Sequence, residues 1–541
     1  MEALPDPLRL LAAPIEQILT CGGDTRLGLD PVTRLNGYGC RPFPRPDAFT
    51  FSSSTATSIS GRAYAAAAAA RQDLRRDSAA LGFRVAFEGH IGALRAELLR
   101  LLGLEGSGCD IVFSPSGTDA QLQATFLARA LLGTPLATVI AASDETGSGT
   151  SFVAQGRHFN TMTADGRSVG KGEPIPGLAE GLESVAIPMR KPSGALRPYA
   201  ETDADVTQAV ALSLAAKKRV LLFAMDSSKC GLRSPSLDAL DWIAAASGPD
   251  LQVVIDAAQM RSGRKRLARY LEQNFIVLIT GSKFFTGAPF SGALILPPAV
   301  AARCREIATA PASLAAYSSA SDWPLSCHGL RASLPGRANL GQWLRWVAAL
   351  EEMRAYFAVP MSFREFALAR FSDTLPRLLS AEDCLLPLQF EDQPAEGGED
   401  EEFAARTIFP FLIRRNGQLL AREPATLLYR ALNDDVAAFM PQTLPPMQRL
   451  LAARRCHIGQ PVAIPDGRGG TAGALRISAG ARFVSESWCD DMLVARENLR
   501  AEFDQVRAII EKIRLLLRHF DDVAPAYEDK ATRTNYQVNA A

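Results

Sequence analysis

Residues 275–287 read Phe275-Ile276-Val277-Leu278-Ile279-Thr280-Gly281-Ser282-Lys283-Phe284-Phe285-Thr286-Gly287. A short unbroken apolar run that ends at a glycine reads as a strand buried on both faces. The lysine directly after it is awkward as a solvated residue, because the two phenylalanines that follow would be exposed with it. Burial lowers the pKa of a lysine and leaves a nucleophilic amine. Upstream, Gln252-Val253-Val254-Ile255 is a second such strand and ends in Asp256. The interval to Lys283 is 283 − 256 = 27 residues, room for one strand–helix unit. Acids and amines at the carboxyl ends of such strands lie where open α/β sheets bind ligands.

Further out, the same grammar repeats. Ile111–Phe113, Ala137–Ala142, Val220–Met225 and Gly292–Leu296 read as strands. Asp119–Leu132 and Leu237–Ala246 read as helices. The expected fold is α/β: a large domain over 61–335 with a mostly parallel seven-stranded sheet flanked by helices, opened by a helical region from Arg62 to about Leu102. A bridging helix, Asn339–Phe357, leads to a smaller α+β domain over 336–525, with strands at Thr407–Ile413 and Ala474–Ser478 and a helix from Glu486 to about His519. Residues 1–60 are rich in Pro, Gly, Ser and Thr and read as a loop-rich segment with short helices at best. Residues 160–214 read as an insert, 391–402 as an acidic loop and 526–541 as a polar tail.

Composition excludes some functions. The chain has 541 residues, enough for two or three domains, and 58 Lys+Arg balance 58 Asp+Glu. Zero net charge offers no footprint for nucleic acid or an anionic membrane. No apolar run approaches a membrane span, and the acidic, Pro-broken start is unlike a secretory signal. The nine cysteines are scattered without metal-ligand or disulfide spacing. A cytoplasmic protein with reduced thiols and no metal is expected.

A phosphorylated aldehyde cofactor needs a phosphate cradle, a buried amine, a carboxylate facing its pyridine nitrogen and a contact to its phenolate oxygen. Ser114-Pro115-Ser116-Gly117-Thr118-Asp119 follows a strand and opens a helix, whose N-terminus suits an anion. The same residue types also serve as ordinary helix caps. Lys283 is the amine and Asp256 the acid. Gln259 could reach the phenolate oxygen, and the hydroxyls of Thr280 and Ser282 suit a phosphate.

These segments resemble the class V aminotransferase family of fold type I pyridoxal-phosphate enzymes, which includes the cysteine desulfurases. The resemblance implies pyridoxal 5'-phosphate bound through a Schiff base to Lys283, with Ser116, Gly117, Thr118, Asp256, Gln259, Thr280 and Ser282 around it. Leu475-Arg476-Ile477-Ser478 matches the family's later Arg-x-Ser segment, which implies that Arg476 holds the substrate carboxylate; a guanidinium fork suits that task. A homodimer acting on a small-molecule amino-acid substrate is also implied, with Gly336-Arg337 near the neighbouring subunit's phosphate.

The departures leave alternatives open. Where the family often stacks a ring on the cofactor, this chain has Ser143–Thr150, so Glu145, Thr146 or a folded-back His158 could take that face. Ser227-Ser228 stands where desulfurases carry an asparagine. At the position of the desulfurase nucleophile the chain has Ile458, with Cys456 two residues away; Cys456 reads as a packed thiol or a displaced nucleophile, and Cys327 is a further candidate. Without a secure thiol the expected chemistry is transamination, with a β- or γ-eliminating lyase, desulfurases included, as the alternative. A non-catalytic regulator or scaffold is a third reading, against which the intact lysine, acid and arginine argue.

Overall fold

The computed structural model describes residues 7–388, 390 and 401–528. Most of the acidic loop (391–400) and of the polar tail (529–541) lies outside the described residues. The first strand, β1 (Ala48–Phe51), belongs to the second of two sheets. The first sheet holds β2 (Asp110–Ser114), β3 (Leu136–Ala141), β4 (Leu182–Ile187), β5 (Arg219–Met225), β6 (Leu251–Ala257), β7 (Ile276–Thr280) and β8 (Gly292–Leu296). Its order is β2-β8-β7-β6-β5-β3-β4. Strands β3 to β7 pair in parallel, while β8 runs antiparallel to both β7 and β2.

The continuous apolar runs have the reason expected of them. Val253, Ile255, Val277 and Ile279 pack into one core, whereas Val254, Ile276 and Leu278 pack into another on the opposite face. Side chains alternate across a strand, so a sheet covered by helices on both faces needs apolar residues at every position. This is the mostly parallel seven-stranded sheet that the sequence implies.

Two expectations are corrected. Residues 160–214 are no insert to the sheet: they contain its edge strand β4 and the helix Tyr199–Ala215 that crosses over to β5. The mixed polarity of Leu182–Ile187, half exposed along its length, hides an edge strand from a search for apolar runs. Residues 7–60 are loop-rich with two short helices, Pro7–Ala12 and Ile15–Leu19, as read, but they also contain β1, which pairs in parallel with Arg455–Ile458.

The second sheet completes around β9 (Leu385–Pro387), β10 (Ile408–Arg415), β11 (Gln418–Leu419), β12 (Arg455–Pro465) and β13 (Thr471–Ser478), in the order β1-β12-β13-β10-β11, with β9 on β10. The long C-terminal helix starts at Met492 rather than Glu486, because the Asp491 carboxylate caps it by accepting from the Leu493 and Val494 N–H groups. The helix Leu340–Ala358 crosses beneath the Lys283 turn. Its Ala349 lies so close that a Cβ at Gly281 would sit 2.4 Å from the Ala349 Cβ, which is why the turn begins with glycine. Trp346 of the same helix donates its indole N–H to the Gly292 carbonyl at 3.0 Å.

Candidate active site

At the end of β2 the Ser116 hydroxyl caps the helix Gly117–Leu132, accepting from the Asp119 N–H at 3.3 Å and donating to the Asp119 carboxylate at 2.6 Å. Close packing explains the glycines here. A Cβ on Gly117 would press the Thr280 methyl at 3.3 Å, and one on Gly292 would lie 2.3 Å from the Ser116 carbonyl. The cradle acquires a cation that sequence reasoning missed. Arg26 donates to Ser116 Oγ at 3.0 Å and Thr118 Oγ1 at 3.3 Å, pairs with Asp24 at 2.5 Å, and lies over the Phe290 ring. Burial, with Asp24 adding its charge, pushes the Asp119 carboxyl up to about 7.

Asp256 closes β6 in full burial. Its Oδ1 accepts from the Ala258 N–H at 3.1 Å, and its Oδ2 accepts from the Gln121 amide at 2.8 Å. Gln121 sits on the cradle helix and is itself oriented by the Thr150 hydroxyl, which donates to its Oε1 at 2.8 Å. Burial raises the Asp256 pKa, opposed by the Lys283 ammonium and by these two donors.

Lys283 follows β7 after Gly281 and Ser282, and the turn after it is tight: the Thr286 N–H donates to the Lys283 carbonyl at 2.9 Å, with Thr286 at φ +55°. Left-handed backbone at a threonine costs of order 1–3 kcal/mol, strain that gathers where a site over-determines its geometry. Burial pushes the Lys283 amine down to about 8; Asp256 opposes the shift, and Arg476 and Arg261 deepen it. Thr280 turns its hydroxyl to the Ala258 carbonyl at 2.6 Å, and Ser282 is buried beside the lysine. Gln259 donates its amide to the Ser54 carbonyl at 3.0 Å.

Arg476, on β13, is buried with all five N–H groups engaged. Nε and Nη2 donate to the Gln460 carbonyl at 3.1 and 2.9 Å, Nη2 also to Thr55 Oγ1 at 2.7 Å, and Nη1 to the carbonyls of Ser54 and Lys229 at 3.3 and 3.1 Å. Two more cations, the buried Arg261 and the half-buried Lys229, share this neighbourhood through their charge.

The open alternatives resolve in part. Glu145 is locked at 2.6 Å to Arg190 and accepts from the Ser228 hydroxyl, and Thr146 bonds Thr150 at 3.0 Å. His158 is held by the Tyr317 hydroxyl, its pKa lowered by burial. Arg337 pairs with Asp165 at 3.4 Å. Cys456 is 1% exposed on β12 and burial pushes its thiol up to about 11, while Cys327 lies buried with its sulfur 3.6 Å from that of Cys304. No group of three or more potential metal ligands exists among the described residues.

Fold and site together define an α/β protein with a buried amine and a buried carboxylate on adjacent strand ends, beside a cation-backed helix N-terminus. No family model matches the chain, and no curated protein sequence does. Solved structures resemble it in fold. A cysteine desulfurase from Escherichia coli aligns over 86% of this chain and 95% of its own, at 14% identity and TM-score 0.48. A tryptophan decarboxylase from Catharanthus roseus, solved with L-tryptophan, aligns over 94% and 90%, at 14% identity and TM-score 0.48. A NifS-like protein from Rickettsia africae aligns over 86% and 99%, at 10% identity and TM-score 0.48.

Proposed function

We propose that the chain is a pyridoxal-phosphate-dependent enzyme acting on an amino acid, with aminotransferase-type chemistry. One arrangement carries this reading: the lysine that follows β7 and the buried aspartate near the end of β6 stand at the same end of two parallel, directly paired strands. The donor set suits the cofactor. Ser116, Thr118 and the Gly117 N-terminus, backed by Arg26, offer hydroxyls, N–H groups and positive charge to a phosphate. Asp256, pinned through both oxygens, offers its carboxylate to a protonated ring nitrogen.

When bound, pyridoxal phosphate supplies an aldehyde that condenses with amines and a ring that accepts electrons from the substrate Cα. The protein's share is proton handling and orientation. With its pKa near 8, Lys283 Nζ is partly unprotonated at neutral pH, free to bond to carbon and afterwards to take or return a proton at the substrate Cα. The anionic form of Asp256 favours a charged ring nitrogen, and Gln121 keeps that carboxylate aimed. The cations Arg476, Arg261 and Lys229 draw a carboxylate to the same end of the sheet. Desulfuration would need a reachable thiolate, and the buried, up-shifted Cys456 counts against it.

The deciding experiment is the absorbance of the purified protein with and without added amino acids. A visible band, lost together with turnover in Lys283→Ala while circular dichroism is unchanged, is expected. A band and borohydride labelling that persist in the variant would move the amine elsewhere.

A further inference from the structure

Lys229 follows β5 in the segment Ser227-Ser228-Lys229-Cys230. Its backbone seats it within the site: its N–H donates to the Glu145 carbonyl at 3.1 Å, and its carbonyl accepts from Arg476 Nη1 at 3.1 Å. Its ammonium has no hydrogen-bond or ion-pair partner among the described residues. Lys512, by contrast, is fully buried and shows what a structural role looks like, since its Nζ donates to the carbonyls of Leu432, Asp434 and Arg454. Beside Lys229 the neighbouring charges are mostly positive, from Lys283 and Arg476, and the Glu145 carboxylate is already taken by Arg190 and Ser228. Burial and those two cations push the Lys229 amine down to about 8. A half-buried ammonium without a counter-charge is open to an incoming anion, with a charge-assisted hydrogen bond as the gain.

Arg476 presents the opposite picture, with every N–H committed to a neutral acceptor. We propose that Lys229 makes the direct contact to the substrate's carboxylate, and that Arg476 is a positioning residue which holds the Lys229 carbonyl in place. This rests on the reading of Lys283 as the cofactor lysine only in naming the ligand as substrate; the carboxylate site itself stands on Lys229.

The test is acetylation of the purified protein with acetic anhydride, read lysine by lysine by mass spectrometry, in saturating propionate, in propionamide and in chloride of equal ionic strength. Propionate is expected to protect Lys229 about tenfold or more, the range for one hydrogen bond to a charged group; propionamide and chloride are expected not to. Equal protection by propionamide or chloride, or none by propionate, overturns the assignment. In Arg476→Gln the propionate effect is expected to weaken but persist, and its complete loss there returns the contact to Arg476. Free acetylation of Lys283 in the same sample would sink the cofactor reading and leave the Lys229 result standing. In turnover, Lys229→Met is expected to raise the KM for the amino acid roughly 10- to 100-fold, with Lys229→Arg restoring most of it. An unchanged KM in Lys229→Met also overturns the proposal.

Discussion

Asp256 shows how much one residue depends on its neighbours. Burial raises its pKa, and the Lys283 ammonium, the Gln121 amide and the Ala258 N–H each act in the opposite direction. Asp256→Asn is therefore expected to retain the cofactor and lose turnover by several orders of magnitude, because a neutral ring is a poor electron sink. Rates near wild type in that variant would remove the acid from the chemistry. At this scale the sequence was informative wherever the signal was local. Asp256 directly follows an apolar run, and Lys283 and Ser116–Thr118 come within a few residues of one, so strand grammar exposes them. Arg26, Gln121 and Lys229 were missed for different reasons. Arg26 reaches Ser116 across 90 residues of chain from a Gly-rich stretch with no periodicity. Gln121 looks like any helical glutamine. Lys229 did carry a signal, a cation in a polar segment directly after β5, of the same kind that marked Lys283.

Among the elements, β12 tests the packing argument. Cys456 and Ile458 share one of its faces, both buried, with Phe49 and Phe51 of β1 beside them in register. Cys456→Ser is expected to cost about 1–2 kcal/mol of stability, for a hydroxyl placed among apolar neighbours, with turnover retained; persulfide formed on the wild type and absent from this variant would make the thiol catalytic instead. His457, between them, donates from Nε2 to the Tyr38 carbonyl at 2.9 Å and faces Ser52 Oγ at 3.1 Å. Burial, with Arg45 adding repulsion, pushes its imidazole down to about 3. Unfolded, a histidine titrates near 6.5, so between those values the unfolded chain binds a proton that the folded chain refuses. The contribution is complete above pH 6.5 and is lost as pH falls toward 3. Urea midpoints of His457→Gln are expected to fall less steeply than wild type from pH 7 to about pH 4; parallel slopes would clear His457 of that role. The elements themselves were legible where burial is two-sided. The edge strand β4 and the short strand β1 were not, since the one is half solvated and the other has its partner far away in sequence.

For the whole molecule, the resemblance to class V enzymes carries the expectation of a homodimer, and sedimentation velocity at micromolar concentration checks it. A species of twice the chain's mass is expected; a fully active monomer would count against shared sites. No helix among the described residues is long and apolar enough to cross a membrane. What the chain's length concealed is how the two sheets are tied. Residues 24–62 reach the cradle through Arg26, the second sheet through β1, and the bridging helix through Arg62, which pairs with the buried Glu352 at 2.6 Å.

The pairing of β1 with β12 also sets a timetable for synthesis. Ala48 leaves the ribosome about 400 residues before its partner Arg455, a wait of roughly 20 to 80 s at ordinary elongation rates. During that interval Phe49 and Phe51 have no sheet to join, although the seven-stranded sheet, complete by Leu296, can already close. The nascent chain thus carries an unpaired aromatic strand through the synthesis of about 400 further residues, and its docking waits for Arg455–Ile458.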